Sequence, residues 1–243
     1  MRSWGITDVG LVRSENQDFY DVRTLGSYTS AVVCDGMGGL AGGRLASSLA
    51  AETFQRELES FLKEGMNLQQ LSQTLSCTVA LANDAIRAAA AADRENCRMG
   101  TTLVCALARE DQVLIANVGD SRAYHINRTG IRQISRDHSL VEVLVERGEL
   151  TPEAARRHPQ RNLITRALGP DASVQADHFC VEWKRGDFLL LCSDGLINTV
   201  SDQEILFEVI HHGEPDTCLQ RLLSLSRQRG APDNVTAVLL MNI

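Results

Sequence analysis

Two rhythms of apolar and polar positions run along the chain and divide it into strands and helices. Near the N-terminus WGITDVG and DFYDV read as short strands joined by the polar turn LVRSENQ, and AVVCD follows as a buried strand. From Gly43 to Leu62 the positions Leu45, Leu49, Phe54, Leu58 and Phe61 recur at helical spacing. The Ala-rich stretch from Leu68 to Ala92 predicts a second long helix. TTLVCALARE, DQVLIANVGD, SRAYHINRTG and IRQIS are short apolar runs separated by polar or Gly turns, a meander signature that implies antiparallel pairing. Between Asp137 and Gly169 the chain turns polar and helical, with Thr151 as N-cap and Pro152 at the first helical position, which reads as an insertion over a sheet edge. QADHFCVEW and DFLLLCSD return to strand, Ser201 caps EILFEVIHH, Asp216 to Arg229 is amphipathic, and NVTAVLLMNI closes the chain as a strand. Strands and helices come in runs rather than strict alternation. The expected class is therefore α+β, with helices covering an antiparallel core instead of a doubly wound parallel sheet.

Composition narrows this picture. A length of 243 residues with 44% apolar positions suits one domain with a large core. The net charge of −7 and the lack of any Lys/Arg run argue against broad nucleic-acid binding. No apolar stretch approaches the ~20 residues of a membrane span, and MRSWGITDVG lacks the charged and apolar regions of a signal peptide. The expectation is a soluble, cytoplasmic protein that does not engage a membrane. Seven cysteines without a CxxC pair suit reduced thiols, and Cys34 and Cys192 read as small buried hydrophobes.

The chemistry concentrates in four aspartates. Asp35, Asp120 and Asp194 stand in AVVCDGMGG, VLIANVGDSR and FLLLCSDGL, three apolar runs with an acid at or just past the end, and Asp233 stands in APDNVTAVLL just before such a run. One Asp beside Gly is ordinary turn chemistry. Four carboxylates at the ends of apolar strands need compensation, by a cation or by hydrogen bonds, and that is the pattern of a multinuclear metal site for hydrolysis. Oxygen ligands with few nearby His or Cys favour Mg²⁺ or Mn²⁺ over Zn²⁺.

Several motifs in order carry a family resemblance: RSENQD, DGMGG, GTT, ANVGDSRAY, the long stretch from Asp137 to Gly169, LLCSDGL and PDNVTAVL. The chain resembles bacterial single-domain members of the protein phosphatase 2C family, the metal-dependent Ser/Thr protein phosphatases, over nearly its whole length. The resemblance implies two stacked antiparallel β-sheets with α-helices on both outer faces, an αββα sandwich, formed by residues 1–243 as one catalytic domain. It implies that Asp35 bridges two Mn²⁺ or Mg²⁺ ions, that the Gly36 carbonyl completes one coordination shell, and that Asp194 and Asp233 hold the other ion. Asp120 with Asp194 would hold a weaker third ion. A metal-bridging hydroxide would then attack phosphorus in line, without a covalent phosphoenzyme. Arg13 matches the family's phosphate-binding arginine, and Asp18, Asn117 and Asn234 fit as groups that orient metal-bound waters.

Residues 137–169 match the family's flap, a mobile segment believed to influence substrate choice, and His158 within it is a candidate substrate contact. His138 and the pair His211 and His212 read as ordinary histidines without metal-triad spacing. The chain departs from the family at Met37, where some members carry a proton-donating His, and at Leu40 and Arg44, where bacterial relatives often carry His and Glu. Leu40 is expected to alter only the cleft's rim, and Arg44 to shift metal affinity or substrate charge preference. The expected activity is phosphoserine and phosphothreonine hydrolysis that opposes a bacterial Ser/Thr kinase, by a monomer whose partners are that kinase and its targets. Two other readings are a catalytically silent phosphoprotein-binding module and a hydrolase of small phosphate esters.

Overall fold

The computed structural model describes residues 1–92, 98–211 and 215–243, without the side chains of Leu40 and Ala41. Of the residues weighed above, His212 and the Leu40 side chain lie outside that description. In chain order the elements are β1 (Arg2–Asp8), β2 (Asp18–Leu25), β3 (Tyr28–Met37), α1 (Gly39–Phe61), α2 (Leu68–Ala92), β4 (Gly100–Thr101), β5 (Leu103–Ala108), β6 (Gln112–Val118), β7 (Arg122–Asn127) and β8 (Gly130–Gln133). They continue with α3 (Leu140–Glu146), α4 (Pro152–Ala155), β9 (Asp177–Glu182), β10 (Phe188–Cys192), α5 (Asp194–Ile197), α6 (Asp202–His211), α7 (Pro215–Gln228) and β11 (Val235–Met241).

One sheet has the order β1-β11-β10-β7-β8 and the other β2-β3-β5-β6-β9, with β4 paired to β3. Every pairing is antiparallel. Side-chain alternation along the strands decides how the sheets stack. Ala31 and Val33 of β3 and Leu189 and Leu191 of β10 share one buried cluster, which is the layer between the sheets. Their neighbours Val32 and Cys34 face α1 and α2, while Leu190 and Cys192 face α6 and α7. The result is the expected four-layer αββα sandwich. Burial pushes the Cys192 thiol up to about 12, so this cysteine packs as a hydrophobe, as read from the sequence.

Two differences from the sequence reading matter for the site. α1 begins at Gly39, four residues before the predicted start, because Gly38 at φ 125 and Gly39 at φ 83 turn the chain directly from β3 into the helix. The predicted meander is split: β5 and β6 belong to one sheet, β7 and β8 to the other. The chain changes sheets at Gly119, whose φ is 108 and where a Cβ would press on the Thr102 side chain. The stretch from Asp137 to Gly169 is less helical than expected, with only α3 and α4, and is tied to the body by bridges Ser139↔Ile164 and Thr101↔Leu168.

Candidate metal centre

Antiparallel order places the candidate acids together. β3, β6 and β10 run toward the same end as β1, whereas β2 and β11 start there, so Asp35, Asp120, Asp194, Asp18 and Asp233 all sit at one end of the sandwich. Asp18 and Asp35 are cross-strand partners in β2 and β3. Asp120 occupies the crossing between sheets, and Asp194 opens α5 directly after β10. Asp35, Gly36, Asp120, Asp194 and Asp233 line one cleft of about 490 Å³ together with Arg13, Met37 and Asn234.

The electrostatics of that cleft are unfavourable for bare carboxylates. Burial, then the charges of Asp18, Asp194, Asp120 and Asp233, hold the Asp35 carboxyl well above its usual range. Burial raises Asp18 to about 7, Asp120 to about 8 and Asp194 to about 6, with neighbouring aspartates adding to each shift. The one cation in the cleft among the described residues is Arg13, whose Nε and Nη2 donate to the two oxygens of Asp233 at 2.9 and 2.8 Å.

The backbone around these acids is tied down. Asp35 N donates to Thr102 Oγ1 at 3.0 Å, its carbonyl accepts from Thr102 N at 2.9 Å and from Thr101 Oγ1 at 2.9 Å, and Thr102 Oγ1 meets Ser121 Oγ at 2.7 Å. A Cβ on Gly36 would collide with the Gly43 carbonyl and crowd that of Gln17, so only glycine fits there. Ser193 Oγ donates to Asp18 Oδ2 at 2.7 Å and accepts from Thr236 N at 3.0 Å, locking β2, β10 and β11 to one another beneath the cleft.

Asn234 and Asn117 are bonded to the backbone around the cleft. Asn234 Oδ1 accepts from Gln17 N at 2.8 Å, and its Nδ2 donates to the carbonyls of Val9 and Glu15 at 2.9 and 3.0 Å, so its amide is spent on holding the Arg13 loop. Asn117 Nδ2 donates to the carbonyls of Gly119 and Arg136, which fixes the crossing that carries Asp120. The Asn117 Oδ1 is buried without a partner. One oxygen of Asp18 is held by Ser193, while the other is buried without a partner.

His158 does not line the cleft, and its Nδ1 accepts from Gln160 N at 3.2 Å. Asn162 and Ile164 are the flap residues that do reach it. Arg44 is turned to Glu15 of the Arg13 loop at 3.8 Å rather than to the aspartates. His138 proves more than an ordinary histidine: its Nδ1 accepts from Gly119 N at 3.0 Å and its Nε2 lies 3.3 Å from Asp177, so it also braces the crossing. Thr102, Ser193 and His138 were missed as supports because hydroxyls and a lone His carry no spacing signal in a sequence.

Among the described residues, no three His, Cys, Asp or Glu side chains already stand close enough to hold one ion, and Asp233 is committed to Arg13. The residues nevertheless fit hard divalent cations. The donors are all oxygen, the Oδ1 atoms of Asp18 and Asp194 are buried without partners, and the cleft lacks the positive charge that its carboxylates need.

Comparison with known proteins agrees. The family model described as Protein phosphatase 2C matches residues 12–236. The Serine/threonine phosphatase stp of Listeria monocytogenes is 36% identical over 238 residues, spanning 96% of this chain and 93% of that protein. The crystal structure of Serine/threonine phosphatase Stp1 from Staphylococcus aureus superposes with a TM-score of 0.92 at 37% identity, covering 98% of this chain and 94% of that one. The catalytic domain of the serine threonine protein phosphatase PstP, solved in complex with 2 manganese ions, gives 0.82 at 35% identity over 98% of this chain and 96% of that one.

Proposed function

The chain belongs to the protein phosphatase 2C family and is a metal-dependent protein-serine/threonine phosphatase; on that premise we propose that the carboxylate cluster at the strand ends is its catalytic centre. The observation that carries this is the gathering of four aspartates in one cleft, with Asp18 buried beside them, the carboxyls of Asp18, Asp35, Asp120 and Asp194 held above the usual range by burial and by one another, and Arg13 as their cation. Asp35, the Gly36 carbonyl, Asp194 and Asp233 would hold two Mn²⁺ or Mg²⁺ ions, and Asp120 with Asp194 would hold a weaker third. Bound there, such ions supply a water acidic enough to attack phosphorus at neutral pH and offset the charge of the phosphoryl oxygens.

The chain's own residues do the remainder. Arg13 neutralises Asp233 while the cleft lacks other cations. Released from it, the guanidinium fork presents two donors to phosphate oxygens, on a loop that Asn234 keeps in place. Asp18, fixed through one oxygen by Ser193, keeps the other without a partner, where it would accept a hydrogen bond from a water that the ions hold. Met37 beside the cleft has no proton to give, so the leaving alkoxide takes its proton from water.

The substrates are proteins phosphorylated on Ser or Thr. Residues 1–243 act as one catalytic domain, a cytoplasmic monomer that reverses a cognate Ser/Thr kinase. Among the described residues no helix is long and apolar enough to cross a membrane. Purified protein is expected to release phosphate from a phosphothreonine peptide in Mn²⁺ or Mg²⁺ and to release none in EDTA. Turnover that persists in EDTA would sink the assignment.

A further inference from the structure

The cleft does not end at the aspartates. Asp120 and Asp194 also line the inner end of a second groove of about 1130 Å³, more than twice the volume of the cleft. One wall is the segment carrying α3 and α4, and the other is α5 with the start of α6. Val141, Val145 and Ile197 give it apolar surface. A drug-sized ligand needs about 300–1,000 Å³, so the groove takes several residues of extended peptide.

Charge says which peptide. Arg156, Arg157 and Arg161 line the wall formed by the α4 segment, all three exposed, and none makes an ion pair with a described residue. The groove's other arginines are neutralised: Arg122 by Asp137 at 2.7 Å and Arg229 by Glu204 at 2.5 Å. The acids on the same wall are engaged as well, Asp137 by Arg122 and Glu142 by Arg136 at 3.8 Å. Asp202 stands opposite, at the start of α6. Three uncompensated guanidinium groups within six residues are unusual on a chain of net charge −7, and they flank a path that starts at the catalytic carboxylates.

We propose that this groove is a peptide subsite that receives acidic or additionally phosphorylated residues flanking the phosphoserine or phosphothreonine. The inference rests on the aspartate cluster being the phosphatase centre. Arg156 and Arg157 contact the flanking residues and not the reacting phosphate, so their contribution appears in KM, is general to carboxylate and phosphate, and is screened by salt.

The test compares phosphothreonine peptides of equal length whose flanks, on either side of the phosphothreonine, carry Asp, phosphoserine, Ser or Lys. Wild type in Mn²⁺ is expected to favour acidic over Ser flanks by about three- to tenfold in kcat/KM, mainly through KM. The preference disappears in 0.5 M NaCl and in an Arg156→Ser/Arg157→Ser double variant. An Arg156→Glu/Arg157→Glu variant turns it toward the Lys-flanked peptide. Fluorescence anisotropy of the same labelled peptides reads the groove without turnover and gives the same order of affinities. Equal kcat/KM and equal affinity for acidic and Ser flanks in wild type would overturn the proposal, as would an acidic preference that survives both double variants. Hydrolysis of p-nitrophenyl phosphate by wild type separates the two questions: its failure in Mn²⁺ tells against the catalytic centre, while the anisotropy series still decides the groove.

Discussion

Replacing Asp35 with Asn is expected to lower metal-dependent phosphate release by at least about 10²–10³-fold while raising the melting temperature of the metal-free protein. The two effects have one cause. Asp35 stands against burial and against the charges of Asp18, Asp194, Asp120 and Asp233, so its ionised form costs stability in the absence of a cation. Asn keeps the shape and removes the charge. Its backbone bonds to Thr101 and Thr102 do not involve the side chain and survive. Relief of about 2 kcal/mol corresponds to about 4–8 °C for a chain of this size. Loss of a charge-stabilising group at the reacting centre costs about 10²–10³ in kcat, and more where that group is also shared between cations. Calorimetry in EDTA beside phosphate release in Mn²⁺ checks both halves, and a variant that loses stability in EDTA contradicts the electrostatic account.

The second large effect is a reversal of pH dependence by metal. Asp194, Asp18 and Asp120 titrate in the folded protein near 6, 7 and 8, above the ordinary carboxylate value near 3.8. A carboxyl raised on folding gives stability that is fully present below its unfolded value and is lost as pH rises through its folded one. Metal-free protein is therefore expected to lose about 4–8 °C in melting temperature between pH 5.5 and 8.5. Cations compete with those protons, so 1 mM Mn²⁺ stabilises little at pH 5.5 and by about 10 °C at pH 8. A metal-induced shift that is equal at both pH values would show that the raised carboxylates are not where the ion binds. Asp120→Asn is expected to flatten the metal-free slope.

Much of this centre could be read from the order of residues, and the reasons it could differ by kind. Strand ends announce themselves because AVVCD, ANVGD and LLCSD each pass from apolar to acidic in one step. α2 was bounded correctly because Leu68–Ala92 is uninterrupted by Gly or Pro. The start of α1 was missed because Gly39, Gly42 and Gly43 weaken helix propensity, while the turn out of β3 needs Gly39 at its φ of 83 and the close approach of Gln17 and Gly36 needs Gly43. Which sheet a strand joins is not written in its period, so the division of the meander at Gly119 had to come from the structure.

Long-range polar pairing was the other silent layer. Arg13 and Asp233 lie 220 residues apart, and nothing local to either indicates that they meet. The resemblance implied Asn234 and Asn117 as orienters of water, and their bonds to the backbone were not legible in the sequence. A side-chain amide can do either, and only its neighbours decide. Arg156 and Arg157 carry no spacing signal in the sequence; the groove beside them gives them a direction.

Anomalous diffraction from crystals soaked in Mn²⁺ tests the central claim most directly. Two manganese sites are expected on either side of the Asp35 carboxylate, one also held by the Gly36 carbonyl and the other by Asp194 and Asp233, with Arg13 turned away from Asp233. Manganese bound elsewhere, or no manganese while Arg13 stays on Asp233, would contradict it.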